Sequence, residues 1–582
     1  MVATATDEIT DQFINTTLDN TTSTTTTNHI QSKNYYKNKK KREQKKLKQQ
    51  QQHNQADAPD PNNNESSLLL NHYFKQHCKS IELQYNQSIH SRSVMSLQSI
   101  APGTQLYLIQ SYVNIINDAH IHQLCHCCMN QPSSHTVFLT CTLCSYARYC
   151  SVQCQNKQSA IHQLECNTLK QLLYMKNNNI ISGETAPLRG VIRYMYQKYQ
   201  AQQTSVKKSS SSKYRHNNEL KQIVSNDELG HSSTEADTLI SNSMQLDSQL
   251  MIQTKLVLNK LCDVIDDNVW LGTDTAYNIY MKLRCNAHQI TSRHDQLHIG
   301  FALYLPAAMQ NHSCLPTCIY YITDKYKQLC MRTIRKVDSP GVELTYAYTN
   351  LYDKRAIRHY NLKQMYYIEE CRCERCIVPL NESTDRYIEG YICNKCDISD
   401  INNNILYRLS DTVYQCKLCT TEYNIDEFIS VEQICHTLFN NAIKLNTANH
   451  NIQALITTIE NKVLSKLYSI LHIYNVSIFN ICVYLISLYV QLQQSHNALH
   501  HIQYCIDAME YIELYNHPEL GSMYEQLYHA YISYCNNKTT DNQRYKQSAV
   551  DAITHAVEIY IICFGHTHEI TKAANKLLKQ TK

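Results

Sequence analysis

Between residues 78 and 117 apolar and polar positions alternate, first in SVMSLQSI and then in QLYLIQSYVNII, with Pro102-Gly103 between them. A period of two marks strands, and Pro-Gly marks the turn that joins them. Residues 167–200 change to helical spacing. Residues 201–248, beginning around KKSSSSKYRHNNE, lose periodicity and read as a flexible insert. A mixed segment runs from about 250 to 380. From about 428 onward apolar residues recur at helical spacing through ITTIENKVLSKLYSIL, ALHHIQYCIDAMEYI and SAVDAITHAVEIYIICF. Gly and Pro are nearly absent there, so the pattern predicts consecutive helices stacked as hairpins. Strands first and helices after predict an α+β chain with an all-α C-terminal part.

Two stretches depart from that scheme. Leu467 to Leu492 carries no Asp, Glu, Lys or Arg and has the length of a membrane span. His472, Asn475, Asn480 and Gln491 are spread along it, and polar groups in hydrocarbon are costly. A buried helix in the helical array is the expectation. Residues 1–70 (TTSTTTTN, then KNKKKREQKKLKQQQQHNQ) are low in complexity and too polar to bury a core. Their basic run, Lys37 to Lys48, suits a solvated tail, a nuclear import signal or an RNA-attracting arm.

The chain has 582 residues, enough for two to four domains. A net charge of +4 does not by itself imply nucleic-acid binding. The start, MVATATDEITDQF, has neither a basic region nor an apolar one, so an intracellular, reducing setting (nucleus or cytoplasm) is expected. There, 26 cysteines point to metal rather than to disulfides. Ten glycines and ten prolines against 43 tyrosines suggest a genome-wide bias. A glycine missing from a motif carries less weight for that reason.

The first cysteine-rich module spans 125–166. Its ligand types fall in four pairs: Cys125 with Cys128, Cys141 with Cys144, Cys150 with Cys154, and His162 with Cys166. A CxxC turn presents two thiolates to one ion, and a helical spacing of three or four does the same. Eight ligands predict two zinc ions with every position filled, hence structural. Cys127 is a ninth candidate ligand and the module's eighth thiol. Residues 391–423 hold Cys393, Cys396, Cys416 and Cys419, two CxxC pairs spaced as in a zinc ribbon. Cys314, in QNHSCLP, has no CxxC partner, while ECRCERC at Cys371, Cys373 and Cys376 lacks a fourth thiol. If the two stretches meet, a site closes and the chain crosses itself.

The eight-ligand module resembles the MYND zinc finger. That resemblance implies interleaved pairs: Cys125, Cys128, Cys150 and Cys154 on one ion, Cys141, Cys144, His162 and Cys166 on the other. Ser159 stands where the family often has Trp, in a finger that generally binds proline-containing peptides. Around it, KLRCNAHQI, IGFALYLPAAMQNHSCLPTC, RKVDSPGVELTYAYTNLYDK and LKQMYYIEECRCERC follow in order. This resembles a SET domain of the SET-and-MYND (SMYD) lysine methyltransferase family, in which the finger interrupts the SET domain. The resemblance covers roughly 78–380 and, more weakly, 428–582, where HPELGSMYEQLYHAY is similar to the family's TPR-like repeats. It implies a β-rich SET domain followed by an all-α TPR-like domain. It places Cys314 with Cys371, Cys373 and Cys376 on a third zinc, and the NHSC and ELTYAY segments in a pseudoknot. With the ribbon, about four zinc ions are expected.

The implied cofactor is S-adenosylmethionine and the implied substrate a protein lysine, on a histone or another protein. Such a reaction needs the lysine nitrogen held in line with the sulfonium and water kept out. A free lysine has a pKa near 10.4, and a dry aromatic channel favours its neutral form. Carried over by motif, Asn286, Asn311 and His312 contact the cofactor, and Tyr348 is the catalytic tyrosine. Tyr366 lines the lysine channel if one residue is inserted before Cys371; without the insertion Tyr367 does. Ile368 takes the place of the aromatic that packs on adenine. Ser91-Arg92-Ser93 stands where the family has GxG, so Ser91 and Ser93 bring a Cβ to a place of close approach. A non-catalytic zinc adaptor that binds peptides is the alternative. A nucleic-acid-binding protein is a weaker one, because the fingers carry few basic residues.

Overall fold

In the computed structural model, residues 71–582 are described, apart from 77, 87–90, 133–136, 211–235, 238, 240, 242–247, 293–296, 325, 397–403, 450 and 538–541. The expectations for residues 1–70, and most of those for 201–248, lie outside the described residues.

The alternating stretch yields four strands: β1 (Ile81–Asn86), β2 (Ser91–Ser96), β3 (Gln105–Ile109) and β4 (Val113–Ile116). β1 and β2 form an antiparallel pair, Ile81 opposite Ser96. The Pro102-Gly103 turn sits between β2 and β3, with Gly103 at φ +80°, a conformation that suits glycine. β5 (Leu139–Thr140) and β6 (Arg148–Tyr149) are a short hairpin inside the cysteine module. Helix α1 (Val152–Asn177) begins within that module, capped by the Ser151 hydroxyl, which accepts from the Cys154 N–H at 3.2 Å. Helix α2 (Ala186–Ser210) runs ten residues into the stretch expected to be an insert.

After helix α3 (Thr273–Asn286), β7 (His288–Thr291) and β8 (His298–Leu303) return to β4, giving the antiparallel sheet β4-β8-β7. Gly300 in β8 is required by that approach: a Cβ there would lie 2.1 Å from the Ile115 carbonyl oxygen. β9 (Cys318–Ile322) and β10 (Leu329–Thr333) join β3 in the sheet β3-β10-β9, so strands from before and after the cysteine module share a sheet. His312 makes a parallel bridge with Tyr346, and helix α4 (Arg355–Tyr366) follows. β11 (Leu406–Arg408), β12 (Val413–Cys416) and β13 (Glu422–Asn424) form a small meander.

The remainder is helical: α5 (Ile425–Asn449), α6 (Val476–Gln491), α7 (Leu499–Tyr511), α8 (Pro518–Asn537), α9 (Asn542–Phe564) and α10 (Glu569–Thr581). The charge-free run from Leu467 is interrupted before α6. Its His472 N–H and the Asn475 side-chain amide both donate to the Gly390 carbonyl, at 2.9 and 3.1 Å, and α6 packs its apolar face inward. No helix among the described residues is long and apolar enough to cross a membrane.

Three apolar cores result. One fills the strand-rich part, a second the helical part together with Cys314, Cys371 and Cys376, and a third the cysteine module. Tyr348 packs against both larger cores. The two are also tied by Arg332 of β10. Its Nε donates to the Ile562 carbonyl of α9 at 3.0 Å, and its terminal nitrogen donates to the Gly103 carbonyl.

Candidate metal centres and active site

Four groups of thiols meet in space. Cys125, Cys128, Cys150 and Cys154 form one; Cys141, Cys144, His162 and Cys166 another; Cys314, Cys371, Cys373 and Cys376 a third; Cys393, Cys396, Cys416 and Cys419 the fourth. Cys127 is buried but belongs to none of them. Sulfur pairs lie 3.6 Å apart at Cys128–Cys150 and 3.7 Å apart at Cys141–Cys166. Four thiolates on zinc at about 2.3 Å would be about 3.8 Å apart, so these residues fit such an ion.

The third group sits in unusual electrostatic surroundings. Arg358 is fully buried, and its Nε donates to Cys314 Sγ at 3.2 Å. Its NH2 donates to Asp385 Oδ2 at 2.7 Å, while Arg355 and Arg375 reach the same carboxylate through Nε at 3.0 and 2.8 Å. Burial alone would lower the Arg358 pKa, but the hydrogen bond to Asp385 raises it. Burial likewise works against the Asp385 charge, and Arg375 and Arg358 hold its pKa below the usual range. Zinc on these four thiolates would carry two negative charges, Asp385 adds a third, and the three guanidiniums would balance them. A donor aimed at Cys314 sulfur suits a thiolate, the metal-binding form.

His312 joins this group to Tyr348. Burial lowers the His312 pKa to about 4, so the ring is neutral near pH 7. Its Nδ1 accepts from the Tyr348 N–H at 3.0 Å, which leaves the proton on Nε2, 3.2 Å from Cys314 Sγ. The Tyr348 hydroxyl donates to the Gln310 carbonyl at 2.5 Å. Its ring lies 4.7 Å from Tyr366 and 4.8 Å from Tyr346. Burial raises the pKa of both Tyr348 and Tyr366, so each keeps its proton near neutral pH.

Tyr366 ends α4, and Tyr367 follows in the left-handed conformation (φ 58°) that closes the helix. That turn sends the two rings apart. Tyr366 meets Tyr348, while Tyr367 lies 5.7 Å from the Arg284 guanidinium of α3, with its hydroxyl buried and unpartnered among the described residues. Ile368 packs against the helical core.

The Asn311 side-chain amide donates to the Arg92 carbonyl and to Glu343 Oε1, each at 2.7 Å, with Ser93 Oγ at 3.4 Å. It therefore braces β2 against the chain entering ELTYAY. Ser91 opens β2 opposite Asn86. Asn286 ends α3, where its amide donates to the Lys282 carbonyl at 2.8 Å.

A family model, SET domain, matches residues 142–349. This chain carries a SET domain. The match takes in Asn286, Asn311, His312, Cys314 and Tyr348, and ends before Tyr366 and the cysteines at 371–376. Histone-lysine N-methyltransferase ASHR1 of Arabidopsis thaliana is 24% identical over 312 residues, covering 52% of this chain and 58% of that protein. N-lysine methyltransferase SMYD2-B of Xenopus laevis is 25% identical over 291 residues, 49% of this chain and 58% of that protein. SMYD2 of Homo sapiens is 24% identical over 293 residues. The resemblance to SET-and-MYND proteins read from the motifs is thus borne out. The chain spans 58% of the length of these relatives.

Sequence reasoning missed two features of the SET domain's surroundings. One is Asp385 with its three arginines, which come from positions too scattered to form a motif. The other is His288, within the quoted NAHQI. Its Nε2 lies 3.1 Å from the Tyr346 hydroxyl and its ring 5.1 Å from Tyr320, and burial lowers its pKa to about 4. A histidine inside a tyrosine cluster was the available signal.

Proposed function

We propose that this protein is an S-adenosylmethionine-dependent protein-lysine N-methyltransferase. The observation that carries the reading is the Tyr348–Tyr366 ring pair, 4.7 Å apart, beside the His312–Tyr346 bridge. When bound, S-adenosylmethionine supplies an electrophilic methyl group. The chain's own residues do the rest. Asn286, Asn311, His312, Ser91, Ser93 and Ile368 would line the cofactor's place, with Asn311 and His312 acting mainly by fixing the backbone they brace. The buried, unpartnered Tyr367 hydroxyl offers such a ligand a further hydrogen bond. Tyr348 and Tyr366 exclude water from the lysine, and their retained hydroxyl protons exclude them as the base. A dry tyrosine-lined channel would favour the incoming amine in its neutral, nucleophilic form, its proton given up to solvent on entry.

In this reading residues 78–380 are a SET domain split by a MYND finger at 125–166, with a ribbon at 391–423 and a TPR-like domain at 428–582. The four cysteine groups would hold four zinc ions, the third pinning Cys371–Cys376 beside the active site. The substrate is a protein lysine, and the finger would take peptide partners. Titrating S-adenosylmethionine into zinc-loaded protein, then assaying methyl transfer to histones and lysine peptides, tests the reading. Micromolar binding with turnover supports it, and shows that Ser91 and Ser93 are tolerated. No binding in zinc-replete protein overturns it in favour of the adaptor.

A further inference from the structure

The helical part holds one cluster that methyl transfer leaves unused. Glu460, His500 and His501 each place a ligand atom within 4.8 Å of the others. Among the described residues this is the one metal-capable group built without cysteine. It lies in the C-terminal helical part, away from the thiol groups in sequence.

The backbone brings it together by an irregular device. The helix Ile452–Thr458 passes into a π-helical segment, Ile459–Leu464, with Ile459, Val463 and Leu464 buried. Such segments are rare and concentrate at functional sites. Glu460 is the second residue of this one. Its Oε1 accepts from the Tyr489 hydroxyl of α6 at 2.8 Å and faces His501 Nε2 of α7 at 3.1 Å. His501 is 3% exposed and Glu460 30%, while His500 is exposed. The two imidazole rings have centroids 3.7 Å apart, although consecutive side chains on a helix ordinarily diverge.

We propose that Glu460, His500 and His501 bind a divalent transition-metal ion, zinc foremost. Two imidazoles and one carboxylate are borderline donors, suited to zinc, cobalt, nickel or copper. At metal–ligand distances of about 2.0–2.1 Å, tetrahedral ligands stand about 3.3 Å apart. The His501–Glu460 separation of 3.1 Å is already close to that edge. Tyr489 supplies the outer hydrogen bond that orients a ligating carboxylate. Three protein ligands leave the fourth position open on the solvent side, where His500 is exposed. The site is therefore of the open kind that takes water or a further donor, unlike the closed thiol groups. Bound metal would clamp the π segment to α7, with α6 joined through the Tyr489 hydroxyl.

The test uses the full chain with its cysteine groups loaded with zinc. Cobalt(II) is titrated and followed by absorbance, and zinc by calorimetry. The proposal expects one further equivalent that gives cobalt d–d absorption without new thiolate charge-transfer bands. His500→Ala, at an exposed position, should keep the fold and weaken that equivalent at least about tenfold. Zinc should raise Tm in the parent and not in His500→Ala. Glu460→Gln should weaken binding too, with circular dichroism reporting that the helices persist. The proposal is overturned by the absence of a further equivalent, by new thiolate bands, or by binding that is unchanged in His500→Ala.

Discussion

Two of the thiol groups have the same four ligands and opposite settings. Cys393, Cys396, Cys416 and Cys419 form a local device: Cys416 ends β12, Cys419 sits in the turn that follows, Cys393 and Cys396 precede β11, and Cys419 is exposed. Cys314, Cys371, Cys373 and Cys376 gather two distant segments, lie against a buried Asp385–arginine cluster, and reach Tyr348 through His312. Ligand identity sets what metal a site takes. The length of chain it closes and the charges around it set what else depends on that metal.

The comparison breaks most sharply at Cys314. Cys314→Ala should release one zinc ion by metal analysis and lose S-adenosylmethionine binding with it; full zinc retention would show that the crossing does not hold a metal. Next is Asp385→Asn, which leaves the buried Arg358 and Arg375 and the half-buried Arg355 undercompensated. It should destabilise the fold by about 3–5 kcal/mol in chemical denaturation, and a loss under about 1 kcal/mol would mean that the charges are screened. Tyr348→Phe should keep zinc content and Tm while reducing methyl transfer about 100-fold or more; unchanged turnover would remove Tyr348 from the site.

His288 sharpens the picture by pH. Its folded pKa of about 4 lies below the ordinary value, so the unfolded chain takes up a proton first as the pH falls. Stability should drop from about pH 6.5 down to about pH 4, by about 3 kcal/mol in total. His288→Phe should flatten that limb, and an unaltered slope would assign it to other groups. The smallest effect belongs to the Cys393, Cys396, Cys416 and Cys419 group. Cys419→Ser should lose one zinc ion while S-adenosylmethionine affinity stays within about twofold, and chelator should strip this exposed group first. Equal losses at both groups would erase the contrast.

Local spacing made the ligand groups legible, because CxxC turns and helical pairs carry their geometry with them. The order of motifs made the SET domain legible, and helical periodicity the C-terminal helices. Other features depend on tertiary approach. Nothing in LKQMYYIEEC announces that Tyr367 turns left-handed and parts its ring from that of Tyr366. Nothing around Arg355, Arg358 or Arg375 points to Asp385. The Asn311 amide is spoken for by a carbonyl 219 residues earlier, and such pairings have no local signature. Helix α2 continues through 201–210 for a simpler reason: Gln, Lys and Ser are polar but compatible with a helix.

Arg332 has a consequence in time. Its acceptor at Ile562 lies 230 residues farther along the chain. At about 5–20 residues per second, synthesis of that stretch takes on the order of ten to fifty seconds. Throughout that interval β10 can pair with its neighbouring strands, but its guanidinium lacks the Ile561 and Ile562 carbonyls that fasten it to α9. The sheet is assembled early and fastened late, so a stall in making α9 would leave a SET domain built but unlatched.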